Sequence, residues 1–141
     1  MTQVRRVPQG FEPLLRTSPF LDSVGSFYLR GSGAELRLGV FVEERACNAR
    51  GRAHGGFLAA LADVTLGHAL ASSEAPSAHL VTTSLSIDFA GSVALGDWLE
   101  SRVELQRLGR QLGFANAYLQ VHGKNVVRAS GVFVRLPAAA S

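Results

Sequence analysis

The sequence predicts an α+β domain, and three observations carry that prediction. Two strand-like segments open the chain, one long apolar run follows at Phe57–Ala71, and four alternating segments separated by turn residues close it. Consecutive hairpins imply an antiparallel sheet, and a single long helix set between strands belongs to the α+β class.

The elements follow in order. Residues 1–20 hold three of the five prolines, and Phe11–Arg16 reads as a short helix behind a loose N-terminus. Gly25–Arg30 and Ala34–Val42 read as a hairpin around Gly31-Ser32-Gly33. In its second strand Leu36, Leu38 and Val40 alternate with Glu35, Arg37 and Gly39, as in a half-buried strand. Glu43–Ala53 is a charged, glycine-containing loop. A helix spans Gly55–Ser73, with apolar residues on nearly every face, so it is expected to be surrounded by protein. After the loop Glu74–Ala78, Val81, Thr83, Leu85, Ile87 and Phe89 alternate with Thr82, Ser84, Ser86 and Asp88. Asp97–Leu108, Gly113–His122 and Asn125–Leu136 complete the sheet, with turns at Leu108-Gly109-Arg110 and Gly123-Lys124-Asn125. The expected domain is 20–136, with an N-terminal extension 1–19 and a short tail 137–141.

Composition excludes several classes. The 141 residues are 47% hydrophobic, enough for one domain with a real core. Met1–Gly10 lacks the apolar stretch of a signal peptide. The run Phe57–Ala71, interrupted by Asp63 and His68, is shorter than the roughly 20 apolar residues of a membrane span. Cys47 is the only cysteine, which rules out an intrachain disulfide and fits a cytoplasmic setting. The net charge is +3, but the arginines are scattered among acidic neighbours and form no nucleic-acid module. His68, His79 and His122 are too dispersed for a metal site, and no cofactor is expected.

The chemistry concentrates in Asn48–Asp63, NARGRAHGGFLAALAD. A polar loop runs through His54-Gly55-Gly56 into the apolar helix. Unpaired N–H groups at a helix start suit a developing oxyanion, and glycine admits a ligand close to the backbone. Asp63 stands where an apolar residue is expected; such an acid is costly without a partner or a task. Donors for an oxyanion plus a carboxylate that can attack, or deprotonate water, point to acyl transfer.

The spacing Asn48-x2-Gly51-x2-His54-Gly55-Gly56-x6-Asp63, followed by Leu95-Gly96-Asp97 and Leu108-Gly109-Arg110, resembles the hotdog-fold acyl-CoA thioesterases. The phenylacetate-pathway type of the 4-hydroxybenzoyl-CoA thioesterase superfamily is the most similar, over about Phe20–Leu136. The resemblance implies an antiparallel sheet wrapped around one central helix, and hydrolysis of an acyl-CoA to free acid and coenzyme A. It makes Asp63 the catalytic carboxylate and the Gly55 N–H, helped by Gly56, the donor to the thioester carbonyl. Asn48 adds a side-chain contact near that carbonyl, Thr82 orients the water, and His54 shapes the site near the departing sulfur.

Geometry adds an expectation about assembly. Gly55 and Asp63 lie about 12 Å apart along one helix, whereas a carbonyl must sit about 3 Å from both its donor and its nucleophile. Two helices packed antiparallel about a two-fold axis satisfy both demands, giving a homodimer with shared active sites; the resemblance adds a dimer of dimers. Arg102, Arg107, Arg110, Lys124 and Arg128 are candidates for the CoA phosphates. The rival readings are a non-catalytic acyl-CoA binding or sensing module, against which the presence of both Asp63 and the glycine donors argues; a hydratase or dehydratase, whose Asp-His pair in a different loop motif is not found; and a purely structural dimerisation domain, which leaves Asp63 unexplained.

Overall fold

The computed structural model describes residues 5–137. Its elements are β1 (Glu12–Pro13), α1 (Pro19–Val24), β2 (Phe27–Arg30), β3 (Arg37–Phe41), α2 (Gly55–Ala71), β4 (Leu80–Phe89), β5 (Trp98–Leu108), β6 (Leu112–Val121) and β7 (Lys124–Arg135). The seven strands form one antiparallel sheet in the order β1-β2-β3-β5-β6-β7-β4. The expected α+β class and hotdog arrangement are what the chain adopts: a curved sheet wrapped around one long helix.

The face of α2 carrying Phe57, Leu58, Leu61, Ala62, Leu66, Ala69 and Leu70 is buried. It packs on Leu38, Val40, Leu99, Leu119 and Val127 from the concave side of the sheet. Both ends of α2 are capped by side chains. His54 accepts from the Gly56 N–H at the start, and at the end the Ser72 hydroxyl donates to the His68 carbonyl at 2.7 Å, satisfying groups the helix itself leaves open.

Three early expectations are corrected. Phe11–Arg16 is not helical: Glu12 and Pro13 pair with Leu29 and Tyr28, and the Leu14 N–H donates to the Phe27 carbonyl at 2.9 Å. Proline fixes φ and has no N–H, so an edge strand suits it, and Phe11 and Leu14 are buried as a result. The helix of this region is α1, which starts with Ser18 at the cap, accepting from the Leu21 N–H, and Pro19 in its first turn, a placement both residues favour. Residues 1–4 and 138–141, the outermost parts of the extension and tail, lie outside the described residues.

The second correction concerns α2. Ala59, Ala60, Asp63, Val64, Gly67, His68 and Ala71 are only half-buried, so one stripe of the helix is left open by its own chain. The first hairpin is also corrected: Gly33–Glu35 form a 3₁₀ turn, anchored by the Gly33 N–H on the Ser72 hydroxyl at 2.8 Å, so the second strand begins at Arg37 and not at Ala34. The later hairpins agree with expectation, except that the last turn sits one residue earlier. His122, at φ 51, and Gly123, at φ 76, form it, the two positive φ values a tight right-twisted hairpin needs.

Thr65 is fully buried and its hydroxyl has no hydrogen-bond partner among the described residues. An unpaired buried hydroxyl costs about 1–3 kcal/mol. Thr65→Val should therefore raise stability by about 1 kcal/mol, seen as a higher urea midpoint at unchanged m-value. A lower midpoint would mean that the hydroxyl is bonded in solution.

Candidate active site

Asp63, on the open stripe of α2, accepts a hydrogen bond from the Thr82 hydroxyl at 2.6 Å. The bond fixes one carboxylate oxygen; Oδ2 has no protein partner among the described residues. Simple alternation would turn Thr82 away from the helix, onto the face opposite Leu85 and Ile87. The pairing explains how it turns inward. Thr82 faces Phe133 and Ser84 faces Val132, so Thr83 is an extra residue in β4. Such a bulge switches the faces of the strand. It leaves Thr82, Leu85 and Ile87 all directed at α2, each opposite an inward-facing residue of β7.

The other expected residues gather at the start of α2. His54 Nδ1 accepts from the Gly56 N–H at 2.9 Å, so that N–H is already committed and Gly55 provides the free one. As the first helical residue, Gly55 has no intrahelical acceptor for its N–H. A Cβ at Gly55 would touch the Phe89 ring at 3.6 Å. Because His54 Nδ1 accepts, a neutral imidazole carries its hydrogen on Nε2.

Asn48 holds its own loop. Its Oδ1 accepts from the Arg50 and Arg52 N–H groups at 2.9 and 3.2 Å, and Gly51 takes φ 73 in the turn between them. The loop is tied down on both sides, by the His54 N–H on the Ala46 carbonyl and the Ala53 N–H on the Val93 carbonyl, each at 2.8 Å. With Oδ1 occupied twice, the two N–H bonds of Nδ2 are what Asn48 can offer a ligand. The Cys47 thiol, in the same loop, is turned to the Glu43 carbonyl at 3.4 Å.

Within one chain these residues form two half-sites, Asp63 with Thr82 and Gly55 with His54 and Asn48. Eight residues of helix, about 12 Å, separate Gly55 from Asp63. Each half has its own hollow. A cavity of about 460 Å³ adjoins Asp63 and Thr82, lined also by Val64, Gly67, His68 and Phe133. Another of about 300 Å³ adjoins His54, lined by Phe20, Val24, Cys47 and Phe57. Residue pattern signalled neither wall, because residues from α1, α2, β4 and β7 meet there only in the folded chain.

Of the five basic candidates, only Arg107 and Arg110 are brought together. Arg102 lies over the Tyr118 ring at 4.7 Å. Arg128 is bound to Asp88 at 2.7 Å, and this hydrogen bond and charge raise its pKa. Arg107 and Arg110 flank the β5–β6 turn with Arg135, while Lys124 begins β7 at the opposite end of the sheet. Arg135 is itself engaged with both oxygens of Glu74 and with the Gly109 carbonyl, which holds the Glu74 carboxyl below its ordinary pKa.

The family model of the thioesterase superfamily matches residues 50–119. A relative from Pseudomonas aeruginosa, named "Putative esterase PA0474", is 44% identical over 128 residues, covering 90% of this chain and 96% of that protein. The chain belongs to the thioesterase superfamily, and it is a hydrolase. Among solved structures, a point mutant of the phenylacetic acid degradation protein PaaI from Thermus thermophilus superposes with a TM-score of 0.75 at 26% identity, over 84% of this chain and 100% of that one. A hypothetical thioesterase from Streptococcus pneumoniae, solved with coenzyme A, shares the fold with a TM-score of 0.71 at 23% identity, over 77% of this chain and 87% of that one. No helix among the described residues is long and apolar enough to cross a membrane.

Proposed function

We propose that this hydrolase cleaves acyl-CoA thioesters to free acid and coenzyme A, in sites shared between two copies of the chain. The observation that carries the reading is the Asp63–Thr82 pair beside an open cavity, with a free glycine N–H at the start of the same helix. The Gly55 N–H and Asn48 Nδ2 donate to the thioester oxygen, where negative charge builds in the transition state. Asp63 of the facing copy either takes a proton from water as that water adds to the carbonyl carbon, or attacks the carbon itself. The C–S bond then breaks and the thiolate leaves near His54 Nε2–H. On the water route it takes up the proton held by Asp63. On the attack route water hydrolyses the Asp63–acyl anhydride, releasing the free acid, the Asp63 carboxylate and the proton that the thiolate takes up. Single turnover in ¹⁸O-water bears on the route. Label in the Asp63 carboxylate marks an anhydride opened at its aspartyl carbon. Label only in the acid favours direct attack by water, an anhydride opened at its acyl carbon being the other source of that result.

The shared site is supported by what the single chain leaves open. β4 is a sheet edge of ten residues, paired on one side only, and a long free edge is a template for another strand. The open stripe of α2 lies beside it. Pairing of β4 with its two-fold mate would cover both features, and a dimer of such dimers is the assembly expected. The carrier is supported by a protein of this fold having been solved with coenzyme A. Arg107, Arg110 and Lys124 make no ion pair among the described residues, so they are freer to meet its phosphates than Arg102 or Arg128.

Thiol release from a panel of short, medium and aromatic acyl-CoAs tests the activity; binding without release across the panel would turn the reading to an acyl-CoA sensor. Thr82→Val should lower kcat about ten- to a hundredfold with little change in KM, the loss of a hydrogen bond to a charged group in the transition state. Thr82→Ser should restore most of it. Equal kcat in all three proteins would make Thr82 a strand residue only.

A further inference from the structure

Asp63 and Thr82 share their cavity with His68, a half-buried group of the same helix as Asp63 that the chemistry above does not use. Its Nδ1 lies 2.9 Å from the Val64 carbonyl oxygen. A carbonyl only accepts, so Nδ1 carries the hydrogen, and in the neutral ring Nε2 is an acceptor. Nε2 has no protein partner among the described residues. The wall beside His68 is mixed: Val64, Ala71, Leu80, Phe133 and Leu136 form its apolar part around a helix floor that Gly67 leaves bare, and Thr17 and Ser18 add hydroxyls. A Cβ at Gly67 would press on Phe133 at 3.3 Å, and glycine is otherwise unfavourable inside a helix. Arg16 and His79, both exposed, stand at the rim of the same cavity.

Resting on the thioesterase reading, we propose that this cavity is the acyl chamber and that His68 selects acyl groups carrying a hydroxyl near their far end. His68 is five positions on from Asp63, about 7.5 Å along α2 and about 140° around it, so the two border the cavity from different sides and an acyl chain of about six carbons or more is needed to pass from one to the other. A hydroxyl there donates to Nε2 and can accept from the donors at the rim. A plain hydrocarbon strips Nε2 of water and returns nothing, and a site built around a substrate hydroxyl rejects its absence for that reason. A terminal carboxylate presents only acceptors to Nε2 and shares the cavity with the Asp63 charge, so its partners are Arg16 and His79 at the rim and not His68.

The test compares hexanoyl-CoA with 5-hydroxyhexanoyl-, 6-hydroxyhexanoyl- and adipoyl-CoA on the wild type, His68→Leu and His68→Gln. At least one hydroxy substrate should exceed hexanoyl-CoA by about tenfold or more in kcat/KM. His68→Leu should bring that ratio close to one. His68→Gln, whose amide oxygen can stand in for Nε2, should keep most of it. In parallel, the free acids are added to ¹⁵N-histidine-labelled wild type: 6-hydroxyhexanoate or 5-hydroxyhexanoate should shift the His68 Nε2 resonance and hexanoate should not. A wild-type ratio near one, a preference for adipoyl-CoA, or a hydroxyl preference that survives His68→Leu overturns the proposal. If no thioester is hydrolysed but the hydroxy acids still shift Nε2, the thioesterase reading falls and the His68 assignment stands. If the Nε2 signal responds to none of the acids, the assignment falls by itself, whatever the turnover.

Discussion

Asp63→Asn is expected to lower kcat by about 10²–10⁴-fold, the range a positioned base contributes, or further if the carboxylate attacks the carbonyl itself. The fold should be unaffected. The amide oxygen can still accept from Thr82, which donates to Asp63 at 2.6 Å, and the side chain keeps its size on a half-buried stripe. The urea midpoint should therefore shift by no more than about 0.5 kcal/mol of stability, as for most partly exposed substitutions. The measurement is steady-state thiol release together with the unfolding curve. A variant that is folded and nearly fully active removes Asp63 from the chemistry. One that is inactive because it no longer folds would show that the acid is held for structure, and Asp63→Glu, which keeps the charge but moves it by one methylene, then separates the two roles.

What made Asp63 legible was its isolation. A single acid in a helix of alanine, leucine and phenylalanine stands out at the level of residues, and so does a glycine pair at the helix start. The partner of Asp63 was legible only as a resemblance. Alternation along β4 assigns Thr82 to the face with Ser84 and Ser86, away from the helix, and the bulge at Thr83 reverses this. A bulge is one extra residue in a ladder whose other strand, β7, lies some fifty residues further on, so no local pattern announces it. The same limit explains the misread N-terminus. Phe11, Leu14 and Leu15 are spaced as on a helix, but the edge of β2 offers the backbone partners, and Pro13 suits that edge. The open stripe of α2 has a related cause. Apolar residues on every face of a helix require burial without saying by which chain, and this chain covers only part of them. Basic residues are the least legible of all. Of five candidates, Arg128 is committed to Asp88 and Arg102 to Tyr118, contacts across neighbouring strands that spacing along the sequence does not reveal.

The two half-sites give the second large effect. Asn48→Asp keeps an oxygen for the Arg50 and Arg52 N–H groups, so the loop should hold, but it loses the Nδ2 donors and sets a negative charge where the oxyanion forms. That homodimer should be nearly as inactive as Asp63→Asn. Suppose the two are unfolded and refolded together in equal amounts. With a two-fold dimer, about half the dimers are mixed, and each mixed dimer has one site with both lesions and one with neither. About a quarter of all sites should then be intact, and activity should return to about that fraction of the wild type. The internal hydrogen bond supplies the control. Thr82 and Asp63 are bonded within one chain and belong to the same half-site, so Asp63→Asn mixed with Thr82→Val leaves one lesion in every site of every mixed dimer. Activity in that mixture should stay at or below the average of the two parents. Recovery in the first mixture and none in the second would establish that Gly55 and Asn48 of one copy serve Asp63 and Thr82 of the other. No recovery in either, with exchange verified by native mass spectrometry, would return the whole site to a single chain, and the about 12 Å of helix between Gly55 and Asp63 would then have to be bridged by a substrate lying along α2 rather than across it.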